Sequence, residues 1–115
     1  MEFIPDVVVA SFGTGPGGKK DDGGKLPWSL MILQLLSGVV KILEHGARKY
    51  AAQSWQKVPN GKERYFAAMI RHLISMQDDG GNINLNKIDS DSGLPHLWHM
   101  QTNAYFLEYF RRLEQ

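Results

Sequence analysis

The stretch Asp91-Ser92-Gly93-Leu94-Pro95-His96-Leu97-Trp98-His99 constrains the chain more than any other. Ser92 is suited to cap a helix, because its hydroxyl can accept a bond from an otherwise unpaired amide of the first turn. Pro95 suits that turn, where a missing N–H costs nothing. His96, His99 and Asn103 then recur at i, i+3 and i+7, which puts them on one stripe. The spacing predicts a helix from about Gly93 to Leu113, packed through Leu94, Leu97, Trp98, Tyr105, Leu107, Phe110 and Leu113.

Two further helices are expected upstream. Tyr65, Phe66, Met69, Ile70, Leu73, Ile74 and Met76 keep a helical period over about Lys62 to Gln77, and Asp78-Asp79-Gly80-Gly81-Asn82 stops it. Ser29 to about Tyr50 reads as a long helix apolar around most of its circumference, hence buried, with Gly46 as a point where it loosens or breaks. Before it, residues 13–25 hold six glycines and three lysines. This segment reads as a mobile linker. A phosphate cradle is the alternative, although the GxxxxGK[ST] spacing is absent. Phe3 to Phe12 reads as a short strand or an extended arm. Three helices and no confident sheet make the fold class mainly α: a small helical bundle completed by oligomerisation, with an irregular N-terminal arm. The expected division is a flexible glycine-rich arm over 1–24 and one α-helical domain over 25–115.

At 115 residues one domain is expected. A net charge of +1 provides no global field for nucleic acid or a membrane surface. The chain has no cysteine, which excludes a disulfide scaffold and thiolate catalysis. The apolar run Val7-Val8-Val9-Ala10 is too short for a signal sequence or a span, so a cytoplasmic protein is expected.

Chemistry concentrates in four groups. His96 and His99 form HxxH on a helix, a spacing that can ligate a transition ion such as zinc. His72 can join them if the second and third helices pack antiparallel, and Asp91 or Asp89 can add a carboxylate. Capping or solvation of each histidine is the alternative. Arg64 and Arg71 share a face of the second helix. With Arg48 and Lys49 they can hold a polyphosphate, or simply form a solvated cationic face. Trp28, Tyr50 and Trp55 flank the loops at the ends of the first helix and can stack a base or close the core. Glu44 can serve as a ligand, a general base or half of a surface pair.

Several of these stretches occur in the order of a known family. Gly24-Lys25-Leu26-Pro27-Trp28-Ser29-Leu30, His45-Gly46-Ala47-Arg48-Lys49-Tyr50, Trp55, Arg64-Tyr65, Arg71-His72-Leu73 and Asp91 to His99 with Asn103 resemble the phage-borne dATP/dGTP diphosphohydrolases. These are related to the all-α pyrophosphohydrolases of MazG type. The resemblance covers about residues 23–110. It implies cleavage of a purine deoxynucleoside triphosphate between the α- and β-phosphates, assisted by magnesium or manganese. On that reading Glu44, Arg71 and Asp91 are catalytic. Lys25, Trp28, Lys49, Tyr50, Trp55, Arg64 and Asn103 bind the substrate, while the metal ligands expected from the residue spacing are His72, Asp91, His96 and His99. A dimer or tetramer is expected.

MazG-type enzymes hold magnesium with ExxE and ExxD carboxylates. Here the stretch that resembles ExxD is His96-Leu97-Trp98-His99, and no ExxE accompanies Arg71-His72. Magnesium prefers oxygen ligands, so either the ion differs, zinc being the alternative, or the carboxylates come from Glu44, Asp89 and Asp91. Sequestration of a nucleotide or nucleotide-derived signal, without cleavage, enters as an alternative function.

Overall fold

A computed structural model describes residues 21–115. The strand or arm expected over Phe3–Phe12, and the glycine-rich segment up to Lys20, lie outside the described residues. The chain divides into two units, one ending at Leu35 and one spanning Leu36–Gln115.

In the described part of the first unit, Asp21 starts a turn by accepting the Gly23 N–H on its carboxylate (3.0 Å). Gly24 then takes φ +78°, a left-handed conformation that costs glycine little. A short 3-10 turn follows at Trp28–Leu30, and Met31 returns to extended backbone. The continuous helix expected from Ser29 is therefore not formed. A second 3-10 turn, Leu33–Leu36, leads into α1, Ser37–Lys49. A helix apolar on every side draws its stability mainly from the surfaces that cover it. Leu26, Trp28, Leu30, Met31, Ile32 and Leu33 are exposed.

The second unit is built from α1, α2 (Gly61–Ser75) and α3 (His96–Leu113), so the protein is mainly helical. Gly46 does not break α1, which runs through it to Lys49. The cross-helix pairs Lys62 with Glu114, Tyr65 with Phe106 and Phe110, and His72 with His96 fall in opposite sequence order, so α2 and α3 are antiparallel. Val39, Ile42, Met76 and Phe106 are the buried apolar side chains among the described residues. Gly38 lets α1 approach α3 closely, since a Cβ there would overlap the Trp98 ring.

Thr102, with 1 % of its surface exposed, donates its hydroxyl to the Trp98 carbonyl (2.8 Å). Around these residues sits an aromatic cluster in which Trp55 stacks on Phe106 with ring centroids 4.3 Å apart. Tyr105 and Leu113, expected in the packing surface of α3, are exposed. So are Phe66, Ile70, Leu73 and Ile74 on α2, which leaves an apolar stripe uncovered.

Between α2 and α3 the chain forms a laced loop. Asp78 accepts the amides of Gly80 and Asn82 (both 2.9 Å), and isolated bridges join Gln77 to Ile83 and Ile88 to Pro95. The start of α3 differs from the expectation. Pro95, not Ser92, occupies the cap position, and no side chain caps the helix. Ser92 instead turns its hydroxyl towards His99 and Asp89. Gly93 at φ +74° makes the turn that permits this.

Candidate functional site

Two neighbouring regions of the second unit gather the chemistry. The first is a cavity of about 1060 Å³ between α1, the 50–60 loop and α2. Its lining includes Glu44, Tyr50, Trp55, Arg64 and Arg71, five of the residues expected to serve catalysis or binding. Ala47, Ala51, Ala52, Ala67 and Ala68 leave it open, because short side chains on facing elements leave space between backbones. Trp55 is fixed by the aromatic cluster, and its carbonyl accepts the Tyr65 hydroxyl (3.0 Å). Burial raises the pKa of that tyrosine above its ordinary value. Glu44 pairs with Arg48 one turn on (3.5 Å), and both are largely exposed. Glu63 and His45 also line the cavity. Neither was expected among the site residues from the sequence. The helical spacing of Glu63 and Arg64 from Arg71 was the signal that could have placed Glu63 there.

The second region is a histidine cluster between α2, the 84–95 loop and α3. The antiparallel packing brings His72 Nδ1 to 2.7 Å from His96 Nδ1. Two imidazole lone pairs cannot face each other at that separation, so a proton or another cation must lie between them. His99 stacks on His72 with centroids 4.5 Å apart and planes 8° from parallel. Asp89 completes the group. Its Oδ2 accepts both the amide (3.0 Å) and the hydroxyl (2.8 Å) of Ser92. The Ser92 oxygen accepts the Leu94 N–H (3.2 Å) and lies 2.6 Å from His99 Nε2, an arrangement that places the ring proton of His99 on Nε2.

Burial governs the charge states here. It pushes the His99 pKa down to about 4, reinforced by the charge of His72 and only partly offset by Asp89. His72 is lowered for the same first reason, with His96 adding to it. Burial alone would raise Asp89, but the two Ser92 bonds and the nearby imidazoles hold its carboxyl below the ordinary value. At neutral pH this is two uncharged rings, His72 and His99, beside a carboxylate.

His72, Asp89 and His96 each offer a donor atom, all within 4.8 Å of one another, and can hold a metal ion. Among the described residues this is the group of three such side chains that meets that distance. Asp91, expected as the carboxylate ligand, is not in it. Asp91 lies on the exposed side of the loop, 3.8 Å from Lys49 Nζ. The substitution of Asp89 for Asp91 follows from the turn at Gly93, which folds Asp89 back against Ser92. Asn103 is buried, with its amide donated to the His99 carbonyl (2.8 Å). Lys49 sits over the Tyr50 ring, 5.4 Å from its centroid. Lys25 and Trp28 belong to the first unit, where both are exposed.

The described structure is thus a small helical protein with an arginine-bearing cleft and an adjoining histidine–carboxylate group. The chain belongs to the dATP/dGTP diphosphohydrolase family, matching its N-terminal region across residues 15–115. No curated protein and no solved structure matches it. No described helix is long and apolar enough to cross a membrane.

Proposed function

We propose that the protein hydrolyses purine deoxynucleoside triphosphates to the monophosphate and pyrophosphate. The observation that carries this reading is the convergence of Arg64, Arg71, Tyr50, Trp55 and Glu44 on one cavity of nucleotide size, in a chain of the dATP/dGTP diphosphohydrolase family. Ligand pockets commonly span about 300–1,000 Å³. Arg64 and Arg71 hold the phosphates through paired N–H donors, which suit phosphate oxygens. Tyr50 and Trp55 offer ring faces to the base, and Lys49 adds positive charge beside Tyr50. Water attacks the α-phosphorus, the bond from that phosphorus to the α–β bridging oxygen breaks, and pyrophosphate leaves. Glu44 takes the proton from the attacking water. Arg71 stabilises negative charge that grows on the leaving phosphates.

Magnesium does not fit the ligand group in this chain. It takes oxygen donors and keeps several waters, whereas His72 and His96 present nitrogen. That same nitrogen-rich donor set favours a second reading, in which the cavity sequesters a nucleotide without cleaving it.

The two readings separate in one experiment. The protein is incubated with a panel of nucleotides and with Mg²⁺, Mn²⁺ or Zn²⁺, and products and retained ligand are analysed by mass spectrometry. Deoxynucleoside monophosphate with pyrophosphate supports hydrolysis. Intact nucleotide recovered from the denatured complex, with no product, overturns it in favour of sequestration.

We further propose that the bundle pairs with copies of itself through Phe66, Ile70, Leu73 and Ile74. These recur at helical spacing and are exposed, with 54 % of Phe66 and 66 % of Ile74 accessible. A monomeric mass by light scattering would refute this.

A further inference from the structure

We propose that His72, Asp89 and His96 form a site for a transition-series divalent ion, zinc or one of its neighbours, and not for magnesium. The proposal concerns which ion the group accepts and stands independently of whether a nucleotide is cleaved.

His72 Nδ1 and His96 Nδ1 lie 2.7 Å apart. Nitrogens this close need a cation between them, either a proton or a metal. Zinc–nitrogen bonds run about 2.0–2.1 Å, which places two tetrahedral nitrogen ligands roughly 3.3 Å apart. The rings therefore have to part by only about half an ångström to admit the ion. Asp89 supplies the third donor within 4.8 Å of both rings. The three ligands come from α2, the loop and α3, so the antiparallel helix pair sets the spacing.

The supports behind the ligands are already in place. Asp89 Oδ2 is held by two bonds from Ser92, which orients the carboxylate and leaves its other oxygen without a bond from Ser92. His99 lies flat against His72 and restrains that ring. Bonding of ligands to fixed neighbours is how metal sites orient their donors. Two imidazoles with one carboxylate suit zinc, iron and related ions. Three protein ligands also leave coordination positions open to water or to a phosphate oxygen.

The test uses the full chain, freed of metal by a chelator and titrated with Co²⁺, whose visible absorption reports its ligand geometry. One equivalent of Co²⁺ is expected to bind, to be displaced by Zn²⁺, and to survive a large excess of Mg²⁺. Zn²⁺ is expected to raise the melting temperature where Mg²⁺ does not. His72→Asn and Asp89→Asn should each weaken Co²⁺ binding at least about tenfold, while Asp91→Asn leaves it unchanged. If one variant fails to fold by circular dichroism, the other carries the test. Absence of Co²⁺ binding, displacement by Mg²⁺, or parental affinity in a folded His72→Asn or Asp89→Asn variant overturns the proposal. Pyrophosphate release supported by Mg²⁺ in a protein that binds no Co²⁺ would remove this site and leave the hydrolytic reading standing.

Discussion

The cavity and the histidine cluster share α2 but are built on opposite principles. The cavity is an open space: alanines on facing elements leave room, and its charged residues Glu44, Arg64 and Arg71 are exposed. The cluster is filled. His72 bonds to His96, Ser92 bonds to both Asp89 and His99, and no described buried side-chain polar atom lacks a partner. A region with exposed charge around an open volume is suited to take a ligand. A region whose groups are mutually satisfied contributes to the fold and can exchange its shared proton for another cation. Arg71 and His72 are neighbours in sequence, yet they serve different regions, because successive residues of a helix point about a quarter turn or more apart.

The largest effect is expected at Arg71, an exposed cavity residue that should matter for turnover and not for folding. Arg71→Ala is expected to lower kcat/KM for the triphosphate about 10²- to 10³-fold, the usual loss when a donor to developing charge is removed. Its unfolding free energy should stay within about 0.5 kcal/mol of the parent, as for most surface changes. Pyrophosphate release and urea unfolding on the same sample check both halves.

His96→Ala should show the converse balance. His96 is 9 % exposed, and its removal strands His72 Nδ1 beside a cavity. A loss of about 1–3 kcal/mol is expected from urea denaturation.

Acid should act on the cluster and spare the cavity. For the metal-free protein, the folded pKa of His99 lies at about 4 and that of His72 is also lowered. Between that value and the unfolded-state value near 6.5 the unfolded chain binds more protons, so stability rises with pH there. The contribution is complete above about pH 6.5 and is lost as the pH falls towards 4. Melting temperatures across this window should fall with acidification in the parent and in Arg71→Ala. His99→Gln should flatten the slope. An unchanged slope in His99→Gln would remove His99 from the account.

The smallest effect is expected at Asp91. Its pairing with Lys49 is exposed on both sides, and such pairs contribute little. Asp91→Asn should melt with the parent, whereas Asp89→Asn, two residues earlier, should melt distinctly lower. Equal effects would erase the distinction between the two carboxylates.

Much of this was legible in the residues. The period of α2 and the i, i+3, i+7 spacing of His96, His99 and Asn103 identify both helices, and the presence of His72 follows once α2 and α3 run antiparallel. The spacing could not assign roles within the stripe. Asn103 faces inward and bonds its own helix, because a buried amide must find a partner and the nearest carbonyl is one turn back. The start of α1 was illegible for a different reason. An apolar run without a polar face contains no signal for where helix gives way to 3-10 turns, and the structure breaks it at Met31.

Local pattern by itself determined that the chain is mainly helical, where α2 and α3 lie, and that His96 and His99 enter α3 together. Periodicity and residue chemistry are properties of neighbours along the chain, so they survive without a fold. Tertiary structure decided that Asp89, and not Asp91, meets His72 and His96, that Ser92 holds it there instead of capping α3, and that the small residues beside Arg71 open a cavity. Each of these depends on how a turn at Gly93 and an antiparallel helix pair bring distant segments together. Contact across space is set by the packing of whole elements, which no spacing of residues along one helix records.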